Sequence, residues 1–140
     1  MSKYLGVDFG LKRIGLSITD QEKIFAFPLT TIEFNGAFDF LKNLFLKEEV
    51  SKVVIGYPKR LSGVDSDIES SIKIFIKKFK KQFPTIEIER FDERFTSKLA
   101  SKAIVSSGLG KKKRSDKSLI DKVSAAIILQ DYLTYNKSNL

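Results

Sequence analysis

The sequence predicts an α/β fold, a five-stranded mixed sheet flanked by helices, and three observations carry that expectation. The stretch Leu5-Gly6-Val7-Asp8-Phe9-Gly10, continued to Asp20, alternates apolar with polar or small residues on both sides of a glycine. That is the pattern of two antiparallel strands joined by a tight turn. Farther along, short apolar runs are separated by stretches of helical period, as in parallel strands linked by helical crossovers. The 140 residues are 42% hydrophobic with 12 Phe, enough for one compact domain over residues 1–140.

Leu5 and Val7 alternate with Gly6 and Asp8 in the first strand; Ile14, Leu16 and Ile18 mark one face of the second. Gly10 is expected to take the positive φ of a hairpin turn, with Lys12 and Arg13 just beyond it. Ile24 to Ile32 reads as a third strand, in which Pro28, lacking an N–H, belongs at an edge or an irregularity. Asn35-Gly36 opens a helix with Phe38, Leu41, Leu44 and Phe45 on its apolar face. Val53-Val54-Ile55-Gly56 reads as a strand buried on both faces, followed by a loop from Tyr57 to Gly63.

The second helix starts at a capping-box pattern, Ser66-Asp67-Ile68-Glu69. It buries Ile68, Ile72, Phe75, Ile76, Phe79 and Phe83, solvates Lys73, Lys77, Lys80 and Lys81, and stops at Pro84. Ile86 to Phe91 is the fifth strand. A short helix near Lys98 to Ser107, a basic loop from Gly108 to Lys117 and a helix from about Leu119 to Tyr135 complete the chain.

The formal charge is +8, from 25 Lys and Arg against 17 Asp and Glu. Such a balance suits a polyanionic partner, nucleic acid before membrane, and is also compatible with plain solubility. The absence of Cys excludes disulfides and thiolate zinc sites. The absence of His removes the commonest general base and every Ser–His or Cys–His nucleophile pair. Any metal site must use oxygen ligands, which favours Mg²⁺, Mn²⁺ or Ca²⁺. With no signal-peptide pattern and no apolar run long enough for a bilayer, a soluble cytoplasmic protein without a membrane partner is expected.

Asp8 lies on the strand face opposite Leu5 and Val7, where it either serves a ligand or caps the turn, and Gly6 and Gly10 on either side leave room for something to approach the backbone closely. In open α/β sheets ligands bind beyond the carboxyl ends of the parallel strands, which draws in Asp92-Glu93 after the fifth strand. Successive strand residues face opposite ways, so one of Asp92 and Glu93 is expected to share a site with Asp8. Asp121 falls in line with Ala125, Ile128 and Tyr132, although Ser118-Leu119-Ile120-Asp121 is also a capping-box pattern. Clustered carboxylates repel unless divalent cations bridge them; in a basic, histidine-free protein such a cluster suits phosphodiester hydrolysis. From Lys98 to Lys122 there are eight Lys or Arg against two Asp, so Lys111, Lys112, Lys113 and Arg114 are candidates for phosphate contact. No aromatics are interleaved in that segment, so base stacking is not signalled there.

Taken jointly, Gly6-Val7-Asp8-Phe9-Gly10 with Lys12-Arg13-Ile14-Gly15, Ile55-Gly56-Tyr57-Pro58, Asp92-Glu93-Arg94-Phe95-Thr96-Ser97 and Asp121-Lys122-Val123-Ser124-Ala125-Ala126 resemble the YqgF family. Its members are Holliday-junction-resolvase-like nucleases of the 16S ribosomal RNA precursor. The resemblance spans nearly the whole chain and implies an RNase H-like fold and a nuclease dependent on Mg²⁺ or Mn²⁺. It makes Asp8, Glu93 and Asp121 the catalytic metal ligands and Asp92 a supporting residue. Lys12, Arg13 and Arg94 fall at basic positions of the family, as phosphate contacts or as structural partners of nearby carboxylates. One departure is Ser62 before Gly63, where the family usually carries an acidic residue; Asp65 and Asp67 follow soon after.

The expected activity is therefore 5′-end processing of 16S ribosomal RNA precursor in ribosome biogenesis, with the ribosome as a further partner and a monomer or homodimer as the unit. A resolvase of four-way DNA junctions is the alternative among nucleases, and it needs a dimer to cut two strands symmetrically. Outside that class stand a non-catalytic RNA-binding module and a nucleotide-binding domain of actin-like fold, which uses a similar hairpin but needs two such domains.

Overall fold

The computed structural model describes residues 2–10, 12–57, 63–91 and 117–138, with side chains at all of these except 63–66, 117–121 and 137–138. Strands β1 (Lys3–Phe9), β2 (Arg13–Thr19) and β3 (Ala26–Glu33) open the chain. A 3₁₀ turn, Phe34–Gly36, leads into α1 (Ala37–Lys47), followed by β4 (Val50–Gly56), α2 (Gly63–Gln82), β5 (Glu87–Phe91) and α3 (Lys117–Ser138). The sheet order is β3-β2-β1-β4-β5. β1 pairs antiparallel with β2, and β2 with β3, while β4 lies parallel to both β1 and β5. This is the expected mixed sheet, its two parallel steps made by the crossovers through α1 and α2.

The alternation within β1 divides the molecule. Leu5, Val7 and Phe9, with Ile14, Leu16, Val53 and Ile55, pack on one face against Leu41 of α1 and Ile72, Phe75 and Phe79 of α2. Phenylalanines fill that layer: Phe38 stacks on Phe75 at 5.1 Å, and Phe45 meets Phe83 edge-on at 4.9 Å. The expected apolar stripe of α2 is realised, with Ile72, Phe75 and Phe79 buried and its four named lysines exposed. The other face carries α3, whose Ile128, Leu129, Tyr132 and Leu133 pack with Val54 and Phe91.

Pro28 satisfies both of its expected roles. It lies on the edge strand, and the register slips between Leu16 opposite Thr30 and Ser17 opposite Pro28. Three expectations are corrected. Gly10 does not take a positive φ; its value lies in crowding, because a Cβ there would stand 3.0 Å from the Arg13 carbonyl oxygen that its own N–H bonds at 2.8 Å. The positive φ occurs at Lys23, 59°, in the β2–β3 turn held by Asp20, whose Oδ1 accepts from the Ile24 and Phe25 N–H groups. Those bonds, first that from Phe25, lower the Asp20 pKa. Asn35 does not cap α1, which starts without a side-chain cap at Gly36. α2 begins at Gly63, three residues ahead of Ser66, so Glu69 sits beyond the first turn and its carboxylate is used elsewhere. The short helix and basic loop between residues 98 and 116 lie outside the described residues.

At the amino end of the sheet, the Lys52 ammonium donates to the Tyr132 hydroxyl at 2.8 Å and lies over the rings of Tyr4 and Tyr132. Burial opposes the Lys52 charge, yet the Tyr132 hydrogen bond and the negative ends of Tyr132, Glu89 and Tyr4 outweigh it and raise its pKa. Burial, then the hydrogen bond with Glu89, raises the Tyr132 pKa as well.

Candidate active site

α3 fixes the geometry at the opposite end. A Cβ on Gly6 would stand 2.2 Å from Ser17 Oγ and 2.9 Å from both the Ala125 carbonyl oxygen and Leu129 Cβ. Only glycine permits so close a crossing of helix over strand. The space beside this glycine is therefore taken by α3 and not by a ligand. Ser17 Oγ donates to the Ala125 carbonyl at 2.8 Å and pins the crossing. Farther along α3, Gln130 donates to the Ile24 carbonyl and accepts from the Ala26 N–H, while the Tyr132 ring meets Tyr4 at 6.2 Å.

Advancing from Ala125 to Tyr132 thus moves from Gly6 back to Tyr4, so α3 runs against the direction of β1. Stepping the other way, one helical turn before Ala125, reaches position 121. A turn advances about 6 Å along a helix, and two strand residues advance about 6.6 Å. Position 121 therefore comes level with Asp8, on the side of the sheet that α3 covers. The helix already includes Ser118, and its first turn holds no acidic residue, so the capping-box account of Asp121 does not hold. The row mates of position 121, namely Ala125, Ile128 and Tyr132, are all buried, as its spacing implied.

Asp8 shares the α3-covered face with Tyr4 and Gly6, opposite Leu5 and Val7 as expected. Its partner on β2 is Gly15, which in turn faces Thr31 on β3. On β4 the last pair is Val7 with Ile55, so Gly56 comes next, level with Asp8, and Gly56 is itself opposite Phe91 on β5. Asp8 thus stands between two glycines on the neighbouring strands. No Cβ crowds its carboxylate from either side, in a position that borders the carboxyl ends of three parallel strands.

Arg13 lies two residues along β2 from Gly15, hence on the same face as Asp8 and diagonal to it. Its direct cross-strand partner is Glu33. Lys12, in the turn, is exposed. The other residues named from sequence, Asp92, Glu93, Arg94, Lys111, Lys112, Lys113 and Arg114, lie outside the described residues, as does the Asp121 side chain. Among the described residues no three acidic side chains gather into a metal-binding group.

Sequence reasoning passed over one cluster at the same edge. Tyr57 follows Gly56, and its N–H donates to the Phe91 carbonyl at 2.9 Å. The Arg90 guanidinium lies over the Tyr57 ring, 4.1 Å from its centroid. Arg90 Nη2 donates to both carboxylate oxygens of Glu69, at 2.7 and 3.2 Å, which is where the supposed capping residue is used. The signal was present in β5, where Arg90 continues the apolar alternation of Ile86 and Ile88. A charge on that side of a strand has to be paired.

Comparison with known proteins agrees with this architecture. The profile of the family described as "RuvX: Holliday junction resolvase" matches residues 2–135. The chain belongs to the RuvX family. A Flavobacterium psychrophilum protein named "Putative pre-16S rRNA nuclease" is 49% identical over 134 residues, covering 96% of this chain and 98% of its own. A Porphyromonas gingivalis protein of the same name is 44% identical over 133 residues, covering 95% and 96%. Among solved structures, "T. thermophilus RuvC in complex with Holliday junction substrate" superposes with a TM-score of 0.62 at 11% identity, covering 99% of this chain and 96% of that one. The fowlpox virus Holliday junction resolvase gives 0.53 at 14% identity, with 97% and 99% covered. At such identities the likeness is one of fold, the RNase H-like fold of RuvC resolvases. Among the described residues of this RuvX member, no helix is long and apolar enough to cross a membrane.

Proposed function

We propose that this RuvX protein is a metal-dependent nuclease whose Asp8, Glu93 and Asp121 carboxylates hold Mg²⁺ or Mn²⁺, and that it processes the 5′ end of 16S ribosomal RNA precursor. The observation that carries the reading is the antiparallel run of α3 over β1, which brings position 121 level with Asp8. Phe91, on β5, faces α3 as Asp8 does, and the strand period of two favours Glu93 over Asp92 as the third ligand. Asp92 is then the supporting carboxylate. An all-oxygen donor set, with glycines Gly15 and Gly56 flanking Asp8, fits a hard, hydrated cation. When bound, such a cation supplies activation of the attacking water and offsets charge building on the phosphate.

The chain's own part is orientation and charge. Asp8 pairs with Gly15 of β2 and directly follows the last β1–β4 pair, so its position is set by the sheet and not by a loop. Arg13, on the same face, is placed to hold a phosphate oxygen, with Lys12, Arg94, Lys111, Lys112, Lys113 and Arg114 extending the positive field along a strand of nucleic acid. The names of the curated relatives favour the ribosomal RNA precursor as substrate, in the cytoplasm where ribosomes mature. A second reading, cutting of four-way DNA junctions, draws on the family description and on the RuvC likeness, and it requires a homodimer.

The deciding experiment sets end-labelled ribosomal RNA precursor beside a labelled four-way junction, each with Mg²⁺ or Mn²⁺, and uses Asp8→Asn protein as the control. Metal-dependent cutting of RNA alone, lost in the variant, is expected. Symmetric cutting of the junction would move the resolvase reading first. Binding of both without cutting would favour an RNA-binding module or a requirement for the ribosome.

A further inference from the structure

We propose that Tyr57 is a base-stacking platform for single-stranded nucleic acid at the carboxyl edge of the parallel strands. The inference rests on the nuclease reading for the identity of the ligand, but not for the geometry of the stack. Three features of the Tyr57 surroundings point to a ligand.

The first is exposure. Tyr57 is 43% exposed although one side of its ring is covered by the Arg90 guanidinium. A tyrosine so placed has a π-face left over, and a nucleobase offers the flat partner that completes an arginine–tyrosine–base stack. The second is rigidity. Arg90 and Glu69 have side chains only 16% and 18% exposed, and their short ion pair fixes the guanidinium from behind. Arg90 also reaches the Gly56 carbonyl at 3.4 Å, and the Tyr57 N–H is bonded to Phe91. Both the ring and its backing are therefore fixed before any ligand arrives, which lowers the entropic cost of binding.

The third is position. Tyr57 follows Gly56 at the carboxyl ends of the parallel strands, the edge at which open α/β sheets bind ligands; with Arg90 and Glu69 of α2 it lies on the side of the sheet opposite the one Asp8 faces. Stacking is indifferent to base identity, so the platform would seat any nucleotide and leave sequence choice to other contacts.

The experiment titrates the full-length protein into single-stranded RNA oligonucleotides with 2-aminopurine at successive positions, in EDTA so that nothing is cut. Wild type is expected to quench 2-aminopurine at one position, through stacking on Tyr57. Tyr57→Phe should retain both quenching and affinity. Tyr57→Leu keeps apolar bulk, and with an unchanged melting temperature should lose the quenching and about tenfold in affinity. Equal quenching by wild type and Tyr57→Leu, or none by wild type, would overturn the platform. The two readings separate in a parallel Mg²⁺ assay. Cleavage with Tyr57-independent quenching removes the platform and spares the nuclease, whereas Tyr57-dependent quenching without cleavage does the reverse.

Discussion

On the face covered by α1 and α2, β1 and β2 present Leu5, Val7, Phe9, Ile14 and Leu16 to a bank of phenylalanines. On the face covered by α3, the same two strands present Tyr4, Gly6, Asp8, Gly15, Ser17 and Thr19, residues that are small or polar. The first face buries large apolar area, the dominant favourable term in folding. The second gives up much of that area to bring a helix backbone against a strand, fixing position 121 relative to Asp8. Each face of one sheet thus does a different task, and substitutions on the two should separate stability from activity.

The largest expected effect is on the α3 face. Asp8→Asn keeps the shape but removes the charge that would hold a cation, and kcat/KM on RNA precursor should fall about a thousandfold, near 4 kcal/mol of barrier. A loss below tenfold would remove Asp8 from the catalytic set. On the other face, Phe79→Ala empties a fully buried position and should cost about 3–5 kcal/mol in urea unfolding. Its folded fraction should cut at the wild-type rate, because its ring partners Phe45, Phe75 and Phe83 lie on the face of the sheet opposite Asp8.

Gly6→Ala should blur that separation, and for this reason it is the sharper test. The added methyl meets Ser17 Oγ, the Ala125 carbonyl and Leu129, so α3 has to shift. A cost of about 1–3 kcal/mol is expected, together with a drop in kcat as position 121 moves away from Asp8. Ser17→Ala by itself should cost roughly 1 kcal/mol through its lost hydrogen bond. Combined with Gly6→Ala it should restore only part of the loss, since two of the three close contacts remain. An active, fully stable Gly6→Ala protein would show that the crossing does not set the site.

The apolar face was the more legible in the sequence. Periodicity alone placed Ile72, Phe75 and Phe79 of α2 and the alternation of β1, because burial of large side chains imposes a period that survives inspection one residue at a time. What escaped was non-local. Glu69 reads as a helix cap from its neighbours, and only the approach of β5 to α2 turns it into the partner of Arg90. Gly6 reads as space for a ligand, and only α3, more than a hundred residues on, shows what occupies that space. Asp121 was legible as a residue on the buried row of its helix. That it comes level with Asp8 follows from the direction in which α3 crosses, which no local pattern encodes.

The smallest expected effect belongs to the amino end of the α3 face, where Lys52 and Tyr132 share a hydrogen bond. Both pKa values are raised above their ordinary 10.5 and 10.0. Folded protein thus holds these protons more tightly than unfolded chain does. The stability they contribute is full below about pH 10 and is lost as pH rises through the folded values. Tyr132→Phe removes the hydroxyl and should cost about 1 kcal/mol at neutral pH, because Lys52 keeps the Tyr4 ring and Glu87 nearby. Its stability should then fall less steeply than wild type between pH 9 and 11, in parallel urea titrations. Cleavage at neutral pH should change little, as the network lies at the opposite end of β1 from Asp8. An equally steep alkaline loss in the variant would mean that other groups govern that limb, and that the polar end of this face contributes shape without a titrating reserve.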